Sequence, residues 1–130
     1  MNEPVWVPLT AVIAIHDRQI ARHGGAPGIR DRTLIESAIA RPMNRAAYGE
    51  TDLAILATAY AFGTAKAHAF VDGNKRTAFV TAVTFLRLNG WAFLPDAAEG
   101  VRMMEELASD GLDENGFADW LRSGMRRIEG

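Results

Sequence analysis

The chain has 130 residues, no cysteine and a formal net charge of −2, and 48% of its residues are hydrophobic while 23% are charged. This length can bury one hydrophobic core, and the composition is that of an ordinary globular protein, which argues against extensive disorder. The small net charge gives no reason to expect a nucleic-acid or membrane surface, and the lack of cysteine excludes disulfides, thiolate metal sites and cysteine nucleophiles.

The amino-terminal segment MNEPVWVPLT has neither the basic nor the apolar region of a signal peptide. The longest uncharged apolar run covers residues 53–65, which is too short to cross a bilayer. We therefore expect a cytoplasmic protein without a membrane partner. No linker or repeat interrupts the chain, so residues 1–130 are predicted to form one domain.

Apolar residues at helical spacing recur along the chain, whereas alternating β-branched runs hardly occur. Six helices are predicted. The first covers residues 9–23, the second covers 32–41 after a cap at Asp31, and the third runs from Thr51 or Asp52 to about 67. The fourth begins within 72–76 and ends at 88, the fifth runs from Asp96 to 108, and the sixth begins at Asp113 or Asn115. Pro42 is expected to end the second helix and to leave residues 42–50 as an irregular connector. The third and fourth helices are largely uncharged, which is typical of the centre of a bundle. These patterns predict an all-α fold, a compact bundle of about six helices.

Residues 68–78, HAFVDGNKRTA, separate the two most apolar helices. The first turn of a helix has unpaired N–H groups and the positive end of the helix dipole, so it attracts anions. Gly73 allows close approach of the backbone to a ligand, and Asn74 tolerates the left-handed conformation. Lys75 and Arg76 add two cations of the kind that bind phosphate. This combination predicts a phosphate-binding loop.

Two further residues of the motif suit phosphoryl or nucleotidyl transfer. Asp72 lies at the edge of the predicted loop, where a single carboxylate beside phosphates is a common way to hold Mg²⁺. His68 could accept the proton of an attacking hydroxyl as a general base. The same residue types also form ordinary turns, caps and solvated first turns, and their spacing alone does not decide between the two interpretations.

The motif HAFVDGNKRTA resembles the signature of the Fic/Doc superfamily, which in its Fic form reads H-x-F-x-[DE]-G-N-G-R-x-x-R. The stretches HDRQIARHGGAPGIRDRTLIESAIARP and TAFVTAVTFLRLNGW resemble the Doc ("death on curing") branch, so the resemblance covers most of the chain. It implies that His68 is the catalytic histidine and Asp72 the metal-binding acid. The remaining motif residues, Gly73, Asn74 and Arg76, would form the anion-binding loop.

Two positions depart from the Fic pattern, because Lys75 replaces the second loop glycine and Phe79 replaces the final arginine. The sequence NKRTA is the Doc pattern. Resemblance to Doc implies that ATP binds with its γ-phosphate at the site of attack, with Mg²⁺ as cofactor. Phosphate rather than AMP would then be transferred, with Lys75 and Arg76 stabilising the transferred charge. The known target in the family is a threonine of elongation factor Tu, and its modification arrests translation.

The resemblance also implies a partner and a target-binding segment. Doc toxins are neutralised by a separate antitoxin whose carboxy-terminal segment occupies a groove on the toxin. Many Fic proteins instead contain an inhibitory helix, [ST]-x-x-x-E-[GN]; here Glu129 and Gly130 match it, whereas Met125 stands where serine or threonine is required. We expect the terminal MRRIEG to be the frayed end of the last helix. Residues 42–50 are expected to be the flap that aligns the target backbone.

Three alternatives compete with a Doc-type phosphotransferase. The first is a Fic-type AMP transferase, against which Lys75 and Phe79 argue. The second is a catalytically inactive binding module that has kept the fold. The third is a metal hydrolase that uses the three histidines, His16, His23 and His68, although their spacing matches no ligand pattern.

Three other sets of residues have simpler structural interpretations. For His16 and Asp17, a structural hydrogen bond is favoured over a catalytic dyad, and His23 at a helix end needs no function. The charged residues Arg30, Asp31 and Arg32 are expected to fix the GGAPGIRD turn through ion pairs. The aromatic residues Trp91, Phe117 and Trp120 are expected in the core or along a partner groove.

Overall fold

The computed structural model describes residues 3–129, and this part of the chain forms six α-helices and one two-stranded sheet. The helices are α1 (Leu9–His23), α2 (Arg32–Ala47), α3 (Leu53–Ala67), α4 (Asn74–Leu88), α5 (Ala97–Ala108) and α6 (Glu114–Gly124). The strands are β1 (Trp91–Ala92) and β2 (Arg126–Arg127), which pair antiparallel. The predicted all-α class and the number of helices are confirmed.

Aspartate side chains begin most of these helices. A carboxylate accepts a hydrogen bond from a first-turn N–H group at four helix starts, Asp31, Asp52, Asp96 and Asp113. Helix α4 differs, because it follows Gly73 in the left-handed conformation (φ 75°), and no side chain of the described residues caps it. Its first N–H groups are therefore available to a ligand.

Helix α3 lies at the centre of the bundle and packs against α2, α4 and α6. Its buried residues are mostly alanine, which allows neighbouring helices to approach closely, and Leu56 and Tyr60 fill the remaining space. Tyr60 contacts Phe85 of α4, with ring centroids 5.1 Å apart. The tight pairing of α3 with α4 places residues 68–73, the loop between them, at one end of the bundle.

The prediction that α2 ends at Arg41 is wrong. Pro42 lies inside α2 and is buried, and the helix continues to Ala47. Proline removes one backbone hydrogen bond, but packing of the last turn, in which Ala46 contacts the core, outweighs that loss. Only residues 48–52 connect α2 to α3. The irregular connector expected over residues 42–50 is thus mostly helix.

The prediction that MRRIEG is a frayed helix end is also wrong. Helix α6 ends at Gly124, and the next residues pair with β1, with Trp91 opposite Arg127. The Arg127 guanidinium lies over the Trp91 ring, 5.4 Å from its centroid, and the Ile128 N–H donates to the Gly90 carbonyl at 2.9 Å. Gly130 lies outside the described residues. None of the described helices is long and apolar enough to cross a membrane.

Loss of one buried hydroxyl is expected to destabilise this core measurably. The Val7 N–H donates to the fully buried Tyr60 hydroxyl at 2.9 Å. Tyr60→Phe should lower the free energy of unfolding by about 1–3 kcal/mol, because the buried N–H loses its partner. Urea denaturation measures this change. Tyr48→Phe is the control, since that ring is 94% exposed, and an equal effect of both substitutions would contradict the prediction.

Candidate active site

His68 lies where α3 ends. It adopts a left-handed conformation (φ 50°, ψ 41°), which histidine tolerates better than most residues, and this conformation turns the chain out of the helix. Its side chain is exposed on the wall of a cavity. The Arg30 Nε donates to the His68 carbonyl at 2.9 Å, so the left-handed turn is held from outside.

Residues 24–31, the α1–α2 segment, lie directly against the loop. The Arg30 N–H donates to the Ala69 carbonyl at 2.7 Å, and the Val71 N–H donates to the Gly28 carbonyl at 3.1 Å. Asp31 uses its carboxylate to cap α2 through Thr33. The segment is therefore fixed by hydrogen bonds to the loop rather than by the predicted ion pairs among residues 30–32.

Residues 42–50, which were expected to be the flap that aligns the target backbone, do not lie beside the loop. Helix α2 begins beside the loop and has 16 residues, so it carries the chain about 24 Å away before residue 48. None of residues 42–50 lines the cavity around His68. Several line a separate cleft of about 630 Å³, where Arg41 and Arg45 are paired with Glu114 and Glu50. The segment that does lie against the loop is 24–31.

Asp72 keeps its carboxylate ionised at the edge of the cavity. Its Oδ1 accepts from the Gly73 N–H at 2.8 Å, and its Oδ2 accepts from the Ala26 N–H at 3.2 Å. These two hydrogen bonds, in that order of importance, and the nearby Arg76 hold the pKa of this carboxyl below its ordinary value. Each oxygen keeps a second lone pair. An exposed, ionised carboxylate beside free N–H groups fits a single protein ligand of Mg²⁺.

Asn74 closes the loop with its side chain. Its Oδ1 accepts from the Phe70 N–H at 3.1 Å, and its Nδ2 donates to the Phe70 carbonyl at 3.0 Å. Both halves of the amide are thereby engaged with the backbone. The side chain of Asn74 is therefore occupied, and the predicted contact of this residue with phosphate would come from its backbone N–H in the uncapped first turn of α4.

The two cations of the motif line the same cavity and contact other elements. The Lys75 Nζ forms an ion pair with Glu105 Oε2 of α5 at 3.0 Å, and both side chains are about half exposed. The Arg76 Nη2 donates to the Gly24 carbonyl at 3.1 Å. Both cations therefore stand beside the start of α4, where the helix dipole also attracts anions. Nothing in the sequence near the motif identified Glu105.

The cavity has a volume of about 640 Å³ and lies between α1, α4 and α5. One side is polar and contains the motif residues together with Gln19 and His23 of α1. Helix α5 contributes the apolar side chains of Val101 and Met104 together with Glu105. This size and division suit a ligand with a phosphate group and an apolar part. Sequence reasoning did not assign Gln19 or His23 to the site. Their spacing of three and seven residues after His16, which places all three on one face of α1, was the only sequence signal that could have done so.

Phe79 separates the cavity from the core beneath it. Its ring packs near Phe93 and Trp120, at centroid distances of 6.4 and 6.3 Å, and lies against Gly100. Phe79 therefore presents an apolar ring where the Fic pattern has an arginine. Phe117 is fully buried, as predicted for a core aromatic residue.

His16 is fully buried under the loop, and its Nε2 lies 2.7 Å from the Asp72 carbonyl oxygen. The predicted structural hydrogen bond therefore exists, but its partner is the loop, since Nδ1 lies 3.6 Å from Asp17. The buried ring uses Nε2 for the loop and does not line the cavity that His68 faces, so the two histidines do not share a metal site there. Residues 3–129 contain no group of three or more histidine, aspartate or glutamate side chains that could hold a metal ion. The three-histidine hydrolase has no geometric support.

Residues 6–86, more than half of the chain, match the protein-family model described as Fic/DOC family. The chain belongs to the Fic/DOC family. It is 40% identical over 112 residues to "Protein kinase doc" of Escherichia phage P1, covering 85% of this chain and 88% of that protein. It is 39% identical over 102 residues to "Toxin Doc" of Mycolicibacterium smegmatis, covering 73% of this chain and 76% of that protein. The resemblance to the Doc branch is confirmed.

The lowered pKa of Asp72 predicts how its contribution to stability depends on pH. Because the folded pKa lies below the unfolded value of about 3.9, ionised Asp72 stabilises the fold above that pH, and the contribution is lost as the pH falls through the folded pKa. Asp72→Asn should therefore lower the urea midpoint at pH 7, with a difference that shrinks below about pH 4.

The midpoints of both proteins are measured from pH 7 to pH 3. Glu36→Gln is the control, because this exposed carboxylate has no hydrogen-bond partner among the described residues. A difference for Asp72→Asn that stays constant down to pH 3 would show that the carboxylate charge is not the cause.

Proposed function

We propose that this Fic/DOC protein transfers the γ-phosphate of ATP to a hydroxyl group of a protein, and that it acts as the toxin of a toxin–antitoxin pair. The observation that carries the proposal is one cavity faced by His68, the ionised Asp72 and the uncapped start of α4 with its two cations. The names of two relatives, "Protein kinase doc" and "Toxin Doc", support the same class of activity.

The phosphates of ATP would bind at the start of α4. Their oxygens would accept hydrogen bonds from the first-turn N–H groups, and Lys75 and Arg76 would add charge-assisted contacts. Asp72 would hold Mg²⁺, which neutralises charge on the phosphates when it is bound. The apolar side chains of α5, Val101 and Met104, would contact the rest of the nucleotide. These contacts would place the γ-phosphate within reach of His68.

His68 would act as the general base. The target hydroxyl oxygen forms a bond to the γ-phosphorus while the bond from this phosphorus to the β–γ bridging oxygen breaks. The hydroxyl proton passes to the neutral imidazole of His68, and ADP leaves. Lys75 and Arg76 would stabilise the charge on the transferred group, because they already stand at the start of α4.

Two residues favour phosphate transfer over AMP transfer. Lys75 occupies the position of the second Fic loop glycine, where its side chain fills space and adds charge. Phe79 packs against Gly100 and aromatic side chains, so it offers no donor to a nucleotide bound in the Fic orientation. An inactive binding module is disfavoured because the loop keeps an exposed histidine and an ionised carboxylate on one cavity.

Elongation factor Tu is the proposed target, modified on a threonine with arrest of translation. Residues 24–31 would contact the target beside the loop, a proposal supported by their hydrogen bonds to residues 69–71. Inhibition by the chain's own terminus lacks support, because residues 125–129 do not line the cavity. A separate cytoplasmic antitoxin, bound in a groove of this protein, is proposed instead.

Labelled ATP distinguishes the two transfer reactions. Incubation with elongation factor Tu and ATP labelled in the γ-phosphate should label the factor, whereas ATP labelled in the α-phosphate should not. His68→Asn should lower the rate at least about 100-fold, because asparagine cannot accept the proton. Asparagine also tolerates the left-handed conformation, so a loss of rate does not reflect a strained turn.

Tyr48→Ala is the matched control, because Tyr48 is exposed at the far end of α2 and should keep the wild-type rate. Label transferred only from the α-phosphate would overturn the kinase proposal. A wild-type rate in His68→Asn would remove His68 from the reaction.

The proposed partner can be identified by co-expression. A short reading frame next to the gene should encode a protein that co-purifies with this chain, stops label transfer and relieves growth arrest. Growth arrest is measured after induction of each gene alone and of both together. Undiminished arrest on co-expression with a stably bound neighbour would contradict neutralisation by that protein.

A further inference from the structure

His16 is a buried polar residue that the proposed reaction does not use directly. Its side chain is 1% exposed, and it reaches from α1 to the underside of the loop. A carbonyl oxygen can only accept a hydrogen bond, so His16 Nε2 carries the proton and donates to the Asp72 carbonyl at 2.7 Å. This bond joins residues that are 56 positions apart in the sequence.

The His16 ring also forms the surface on which the loop rests. It stacks on the buried Phe70 ring with centroids 3.9 Å apart and planes within 8°. A side-chain carbon added at Gly73 would lie 3.7 Å from the His16 ring and 3.1 Å from Ile20. The loop backbone therefore lies directly on α1, with His16 under Phe70, Asp72 and Gly73.

This placement couples His16 to the proposed metal and phosphate contacts. Asp72 presents its carboxylate to the cavity while its carbonyl accepts from His16, so the hydrogen bond limits rotation of the same residue. Gly73 follows it and starts α4, so a shift of the Asp72 peptide would also move the first N–H groups of the helix. The carboxylate and the helix start are thus held by one contact from below.

We infer that His16 is a positioning residue, which sets Asp72 and the start of α4 for binding of Mg²⁺ and the phosphates of ATP. The inference deepens the proposed function and rests on it for the identity of the ligand. It assigns His16 no direct contact with substrate. Loss of an orienting hydrogen bond behind a metal ligand typically lowers metal affinity or activity by about 10- to 100-fold.

A matched pair of variants isolates the hydrogen bond from the ring. His16→Gln and His16→Leu both remove the aromatic ring and have similar size. The glutamine amide can donate to the Asp72 carbonyl, whereas leucine cannot. We expect His16→Leu to weaken binding of Mg²⁺ with a non-hydrolysable ATP analogue at least about ten-fold, while His16→Gln stays within about three-fold of wild type.

Two measurements accompany binding. Urea midpoints report the stability of each variant, and amide hydrogen exchange reports opening of the loop at the Phe70 and Gly73 N–H groups, which are hydrogen-bonded within it. Exchange at these amides should be faster in His16→Leu than in His16→Gln. A role in stability alone predicts that the loss of binding in each variant follows its urea midpoint, whether or not the side chain can donate to Asp72.

The outcomes separate this inference from the proposed function. Equal binding and equal loop exchange in the two variants would overturn the positioning role of His16. Faster exchange and weaker analogue binding in His16→Leu, found together with no label transfer by the wild type, would support His16 and overturn the kinase proposal. Rescue by glutamine of both binding and label transfer would support both.

Discussion

The loop between α3 and α4 has to satisfy its backbone hydrogen bonds although it forms no helix of its own. Three parts of the molecule supply partners: the Asn74 side chain from α4, the segment 24–31, and His16 from α1. These partners are brought together only when α1, α3 and α4 are packed. The geometry of the candidate site therefore depends on the same packing that stabilises the fold.

The charges of the site are held in place by weak contacts that a ligand could replace. Lys75 and Glu105 form an exposed ion pair, and exposed pairs of this kind contribute about 1 kcal/mol or less. Arg76 donates to a single carbonyl. Asp72 stays ionised through two backbone N–H groups rather than through a neutralising cation alone. The cavity thus keeps its cations and its carboxylate available to phosphate and metal.

Local signals were sufficient where one residue determined a helix end. Asp52, Asp96 and Asp113 cap the helices that they were predicted to begin, and α1 has its predicted bounds. Local signals failed where packing outweighed propensity. Pro42 reads as a stop but is buried inside α2, and β2 exists because it pairs with β1, a partner about 35 residues away whose position no local pattern predicts.

The sequence by itself determined the six helices, the apolar pair at the centre and the chemical groups of the motif, because helix periodicity and caps are local properties. Residue types suggested the roles proposed for His68 and Asp72, and family resemblance favoured them over ordinary turns and caps. Only the tertiary structure decided that residues 24–31, not 42–50, lie beside the loop, that Glu105 faces Lys75, and that His16 supports Asp72. Such contacts join residues 30 to 56 positions apart, and their formation depends on how whole helices pack rather than on any neighbouring residue.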